Sequence, residues 1–416
     1  MWRIIVLCTI MSLTVAEKFS YKNYKVFNFI SLTKAKISYL KEQIDEFFFW
    51  EEPPILNKES VSLMIAPHKL SKFYQIMRKK GISYQLLVDN VQELVNRTTE
   101  SIYSGNDTHN LNIFPFNKYP TLNEIYDYIN NLTLNYNDKV KIVTIGETYE
   151  GNKILGVEVS FNNTSKNPGI FLEGGIHGNE WISPATVIYI LNQLLTSTDP
   201  NVRAMAENHD WYIVPLVNPD GYNYTHTTDR LWKKSRARHD TFCIGVDLNR
   251  NWNYTWSIGT DVYDRCSNEY AGSQPFSELE THALKNYLET IAGKFYAYIS
   301  FHGSSQLLII PYGKADVDDY REMYTIGLVA ITALRQRYGT EYRIGNKVET
   351  AYFIKGSSTN YVRNMYKNNV YTYYLRDLNY FGCLLPPDQI IPTGQETLDS
   401  LVTMFKQIDI DQYPLQ

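Results

Sequence analysis

The first residues in this chain whose types and spacing suggest chemistry are two histidines and a glutamate. His177 and Glu180 form an H-x-x-E pair inside Gly174-Gly175-Ile176-His177-Gly178-Asn179-Glu180-Trp181. His302 follows far downstream, in Ser300-Phe301-His302-Gly303-Ser304. A glycine-rich turn lets both members of the pair bend toward one point. Two imidazoles and one carboxylate make a catalytic-type zinc site, with a position left open for water or substrate. An isolated H-x-x-E pair is a weak signal and more often structural. His68, His109, His209, His226, His239 and His282 read as surface or structural residues.

Such a site needs elements to carry it. The stretch 169–173 reads as a buried strand that delivers the H-x-x-E turn, and 295–301 as a second strand that ends just before His302. Further strands are expected at 142–145, 155–161, 211–217 and 370–375, with a turn at Glu150-Gly151-Asn152. Amphipathic helices are expected at 184–195 and 277–291. Thr121-x-x-Glu124 is a capping box that opens a helix running through Ile129. Helices alternating with apolar strands describe an α/β, doubly wound sheet, in which function gathers where strands end.

Upstream, residues 17–97 show the same alternation at small-domain scale. Strands are expected at 24–30, 61–66 and 82–88, and helices at 34–47, 68–80 (closed by Gly81) and 91–95. Two such passes predict a small α+β open sandwich of antiparallel sheet and helices. Residues 98–112 turn polar, a linker composition, and 113–416 make the larger unit.

The chain has 416 residues and a formal net charge of −4, which argues for two folded units and against a nucleic-acid partner. Its 34 tyrosines supply strands and surfaces with rings that carry a polar tip. Residues 1–16 read as a secretory signal: Arg3, an apolar run from Ile4 to Val15, and small residues before a cut at Ala16. That run is too short to span a bilayer, so no membrane partner is expected. Asn-x-Thr sequons at Asn96, Asn106, Asn131, Asn162, Asn223 and Asn253 suit an exported glycoprotein. Removing the signal takes Cys8 with it. Cys243 and Cys266, close together in a loop-rich stretch, are then the natural disulfide, with Cys383 left as a buried thiol.

The motifs are long and collinear. His177-x-x-Glu180 with His302, Val217-Asn218-Pro219-Asp220-Gly221-Tyr222, Arg230-Leu231-Trp232, Asp247-Leu248-Asn249-Arg250-Asn251-Trp252, Pro311-Tyr312-Gly313 and Ile390-Ile391-Pro392-Thr393-Gly394-Gln395-Glu396-Thr397 resemble the pancreatic-type A/B zinc metallocarboxypeptidases across essentially the whole chain. The resemblance implies a mixed sheet of about eight strands flanked by helices, behind a propeptide domain that covers the cleft. It implies one Zn2+ on His177, Glu180 and His302, and the same Cys243–Cys266 bridge. Asn249, Arg250 and Tyr352 would take the terminal carboxylate of a peptide or protein, arginine because its planar fork accepts a carboxylate bidentately. Thr359, with Ser357, Ser358 and Ile354 nearby, would line the side-chain pocket. None of these is acidic, so a preference for basic C-terminal residues is not expected.

Two positions depart from the family. The family's general base is the glutamate of Thr-Tyr-Glu-Leu-Arg-Asp, and this chain reads Thr372-Tyr373-Tyr374-Leu375-Arg376-Asp377. No Asp or Glu lies between Glu349 and Asp377, and Asp377 stands an odd number of residues from 374, so a register slip supplies no substitute. Lys233 occupies the place of the arginine that holds the oxyanion, keeping the charge and losing the fork. A phenol with a pKa of about 10 is a poor proton acceptor at neutral pH. The expectation is a secreted, zinc-binding protein that recognises free C-termini with lost or strongly reduced hydrolysis. The alternative is an active extracellular carboxypeptidase that removes non-basic residues. The linker adds a related feature: no Lys or Arg occurs from Thr98 through Asn117, so a trypsin-like activator has only Arg97 or Lys118.

Overall fold

The computed structural model describes residues 18–30, 36, 39–40, 47–50, 60–100, 114–161, 167–256, 264–311, 317–346, 355–366, 369–378 and 380–412. The signal-like segment, most of the helix expected at 34–47 and nearly all of the linker lie outside them.

The smaller unit is a four-stranded antiparallel sheet in the order β2-β3-β1-β4, formed by β1 (Lys25–Ile30), β2 (Phe47–Phe49), β3 (Ser60–Ile65) and β4 (Gln85–Val88). Its helices run over Leu70–Lys80, ending at left-handed Gly81, and over Val91–Thr99, four residues beyond the expected end. Side chains alternate faces along a strand, and both faces here are apolar. Phe27, Phe29, Leu63 and Ile65 pack under Phe73, Ile76 and Met77 of the first helix. Val26, Met64, Val88 and Trp50 point the other way and pack with Leu384 of the larger unit. A sheet with two apolar faces must bury both, and this is why the small unit docks. Polar contacts register the dock: the Phe19 amide donates to the Thr228 carbonyl (2.7 Å), Tyr21 Oη to Asp229 (2.5 Å) and Trp50 Nε1 to the Tyr380 carbonyl (3.2 Å).

The larger unit is a mixed eight-stranded sheet in the order β11-β10-β12-β9-β7-β8-β6-β5. Its strands are β5 (Val140–Glu147), β6 (Lys153–Val159), β7 (Gly169–Glu173), β8 (Asp210–Val214), β9 (Phe295–His302), β10 (Leu307–Ile310), β11 (Arg343–Asn346) and β12 (Asn369–Tyr374). β8, β7, β9 and β12 run parallel to one another, and β7 and β12 are buried at every residue, as strands covered on both faces require. Helices Ile182–Thr196, Val317–Tyr338 and Ile390–Gln412 flank the sheet. The capping box is formed: Thr121 Oγ1 accepts the Glu124 amide while Glu124 accepts the Thr121 amide at 2.8 Å. The helix it opens continues to Asn135, past the expected end, because Leu132 extends the buried stripe. The strand expected at 211–217 stops at Val214, where Pro215 interrupts the ladder. No helix among the described residues is long and apolar enough to cross a membrane.

Candidate metal and peptide C-terminus site

Parallel strands β7, β9 and β12 end side by side, and the chemistry-bearing residues lie at those ends. His302 is the last residue of β9 and pairs in register with Tyr374, the last of β12. β7 ends at Glu173, and the chain turns through Gly174 to Gly178 to bring up His177 and Glu180. Glycine at 178 is required by close approach: a β-carbon there would lie 2.6 Å from the Gly221 backbone and 3.0 Å from the Trp232 carbonyl oxygen. The Gly178 amide donates to the Lys233 carbonyl at 3.0 Å, fixing the turn against that segment.

The three expected ligands meet. His177 Nδ1 lies 2.9 Å from Glu180 Oε1, and His302 Nδ1 lies 3.0 Å from Glu180 Oε2. One ligand atom from each falls within 4.8 Å of the others, and all three side chains are buried. Both imidazoles therefore present Nδ1 to a common point. Their other nitrogens are engaged behind: His177 Nε2 meets Asp247 Oδ1 at 3.0 Å, and His302 Nε2 meets Asn249 Nδ2 at 3.2 Å. A carboxylate behind a metal-binding imidazole sets its tautomer and raises its basicity. Two nitrogens and a carboxylate oxygen, buried and backed in this way, are a donor set that zinc fits.

The electrostatics agree. Burial works against charge on His177, yet Glu180 and Asp247 push its pKa up to about 9. Burial would raise Glu180, but the two imidazoles hold it far below the usual carboxylate range. Asp247 is held low against its burial by Lys233 and His177 first. The site is thus a preformed ion cluster, in which the Glu180 and Asp247 carboxylates face the two imidazoles, Lys233 and Arg250.

Asp247 is the hub that motif reading passed over. Besides His177 it takes the Asn249 amide (2.9 Å), Lys233 Nζ (3.0 Å) and Arg250 Nε (3.1 Å). Lys233 therefore meets a carboxylate beside the metal position. Arg250 also reaches toward Glu269 at 3.7 Å. The Asn249 amide oxygen accepts the Ser358 amide at 3.1 Å, so one side chain links a metal ligand to the expected pocket. Thr359 is buried at the start of helix Ser358–Tyr366, 3.3 Å from Thr372 Oγ1. An acid stands directly behind this polar wall: Ser358 Oγ donates to buried Glu173 at 2.6 Å. Tyr352 and Ile354 lie outside the described residues.

Tyr374 is buried, and its ring stacks on the His302 imidazole with centroids 5.0 Å apart and planes 19° apart. Asp377 is turned to its own loop, where its carboxylate accepts the amides of Tyr380, Phe381 and Gly382 at 2.9–3.1 Å. Cys243 and Cys266 are bridged, with Cα atoms 4.7 Å apart. Cys383 is a half-buried thiol rather than a fully buried one, because it lies in the surface loop under the small unit.

The sequence has clear relatives. Residues 125–400 match the model of the zinc carboxypeptidase family, and residues 32–98 match that of the carboxypeptidase activation peptide. Zinc carboxypeptidase A 1 of Anopheles gambiae is 37% identical over 414 residues, covering 97% of this chain and 93% of its own. Carboxypeptidase A2 of Mus musculus is 31% identical over 368 residues, 87% of each. The crystal structure of thrombin activatable fibrinolysis inhibitor (TAFI) matches with a TM-score of 0.84 at 27% identity, covering 93% of this chain and 98% of that one.

Proposed function

The chain belongs to the zinc carboxypeptidase family, and from that premise we propose that it recognises free peptide C-termini with hydrolysis strongly reduced or lost. Zinc, one ion per chain, is the family's cofactor, and His177, Glu180 and His302 are the residues that would hold it. When bound, zinc supplies Lewis-acid polarisation of a carbonyl and acidifies a coordinated water. Asn249, Arg250 and Tyr352 receive the terminal carboxylate in this reading, and Thr359 borders the side-chain pocket. The activation-peptide domain is the site's first partner, docked through Leu384 beside it.

One observation carries the reduced activity: the side chain at the end of β12, beside His302, is a phenol stacked on that imidazole. Peptide hydrolysis needs a group there that accepts a proton from water and passes it to the leaving amine. Asp377 cannot deputise, because its oxygens serve three amides of its own loop. Lys233 is drawn to Asp247 and brings one point charge rather than a fork to a developing oxyanion. Retained binding groups with altered transition-state groups describe recognition rather than catalysis. The second reading, an active non-basic-selective carboxypeptidase, is favoured by the intact backing of both imidazoles. The signal-like residues 1–16 and the sequons support a secreted, extracellular setting for either.

Protein freed of its activation-peptide domain, assayed on peptides with free and with blocked C-termini, separates the two readings. The proposal expects binding that requires the free carboxylate, with turnover far below that of a Tyr374→Glu variant. Wild-type turnover equal to the variant's would overturn it.

A further inference from the structure

Arg230 joins three separate parts of the molecule, and neither zinc binding nor carboxylate recognition uses it. Its side chain is buried. Nη1 donates to the Asn179 carbonyl at 2.8 Å, Nη2 to the Cys383 carbonyl at 2.8 Å, and Nε to Thr98 Oγ1 at 3.3 Å. The guanidinium lies 3.6 Å over the Trp181 indole, on which His226 also stacks at 3.9 Å. Among the described residues no carboxylate pairs with it. A buried cation held only by carbonyls, a hydroxyl and a ring face depends on every one of those acceptors.

Each acceptor belongs to a different functional part. Asn179 and Trp181 flank Glu180, so two of the contacts fix the turn that carries a metal ligand. Cys383 sits in the loop that follows Tyr374 and packs under the small unit through Leu384. Thr98 is at the end of helix Val91–Thr99 of the small unit, where its hydroxyl gives its proton to the Val95 carbonyl at 2.7 Å and so turns a lone pair to Arg230. The side chain spans the domain boundary and ends on the metal turn.

We propose that Arg230 is a positioning residue that couples docking of the activation-peptide domain to metal retention at His177 and Glu180. With Thr98 in place, all three sides of the guanidinium are occupied and it holds the Asn179–Trp181 turn in register. When the domain leaves and takes Thr98 with it, Nε loses its acceptor and the cation is opened to water, which competes with the Asn179 carbonyl. The turn then loosens and zinc leaves faster. Coupling is reciprocal, so removing the metal also weakens the docking of the domain. The inference rests on the reading that these residues hold zinc.

The test uses the full chain loaded with zinc and measures transfer of the metal to an excess chromogenic chelator. Thr98→Val and Thr98→Ala, which remove the acceptor from outside the site, are expected to release zinc about tenfold faster than wild type. Thr98→Ser keeps the hydroxyl and is expected to restore the wild-type rate. Thermal unfolding of the zinc-free forms tells coupling from a merely structural role, since it should shift little between Val and Ser at 98. Equal release rates for wild type, Thr98→Val and Thr98→Ala would overturn the coupling while leaving the zinc site intact. A wild-type chain that takes up no stoichiometric zinc would overturn the zinc reading, and the coupling with it.

Discussion

The metal cradle and the end of β12 are separated by a single ring stack, yet they hold their chemistry in opposite ways. In the cradle, His177 is fixed by Asp247 and His302 by Asn249, and Asp247 is itself fixed by Lys233, Arg250 and the Asn249 amide. Ligands and their supports come from several segments, so no one neighbour decides whether they converge. At the end of β12, in the reading proposed above, proton handling rests on the identity of one side chain, Tyr374. Coordination in this fold is a distributed property and base catalysis a local one. One substitution can therefore remove the second and spare the first.

The widest test of this contrast is Tyr374→Glu. Restoring a carboxylate should raise turnover on free-C-terminus peptides by about 10²–10⁴, the span a positioned general base contributes. Zinc affinity should stay within about threefold of wild type, because no ligand or backing group has changed. Steady-state kinetics beside a zinc competition titration reads both. A variant that gained turnover only by binding zinc far more tightly would erase the distinction between the two regions.

Asp247→Asn attacks the other side. An amide keeps the shape and loses the charge that His177, Lys233 and Arg250 all face. Zinc affinity should fall about 10–100-fold, the usual cost of losing a group behind a metal ligand. Lys233→Arg has a smaller expected effect and needs a proton acceptor to show it. In the Tyr374→Glu background, kcat should rise by up to about tenfold as a fork replaces a point charge, with KM little changed. In the wild-type background it should do almost nothing.

What was legible in the sequence divides along similar lines. The capping box at Thr121 and Glu124, the left-handed end at Gly81 and the fully buried strand β7 are local facts, and each appears where its residues predict it. The three residues that converge as a metal cradle were legible mainly through the family resemblance, since the H-x-x-E pair alone is a weak signal and His302 lies far downstream. Strands β10 and β11 went unpredicted, since four-residue runs carry little periodic signal. Helix Val317–Tyr338 was missed as well, and the structure offers no simple reason. Asp247, Arg230 and the Ser358–Glu173 pair were not legible as site residues. Their roles depend on partners brought together only by folding, 185 residues apart in the last case. Asp247 did leave a trace, as an acid two residues before Asn249 in a matched run.

The claim that partners, rather than burial, decide whether a carboxylate here is charged can be sharpened away from the site. Asp247 and Glu280 are both fully buried, but Asp247 has four cationic or hydrogen-bonding partners, while Glu280 has no side-chain hydrogen-bond partner among the described residues. Burial first, then the charges of Glu278 and Asp220, push Glu280 up to about 8. An unfolded glutamate ionises near about 4.3, so between that pH and about 8 the folded chain keeps a proton that the unfolded chain gives up. This group therefore makes the fold progressively less stable as pH rises through that window, and the loss levels off above it. Glu280→Gln cannot ionise and should escape the decline. The variant and wild type should melt alike near pH 4, while near pH 9 the variant should melt higher by at least about 2–4 °C. Parallel melting curves across the range would mean that Glu280 finds a partner in solution.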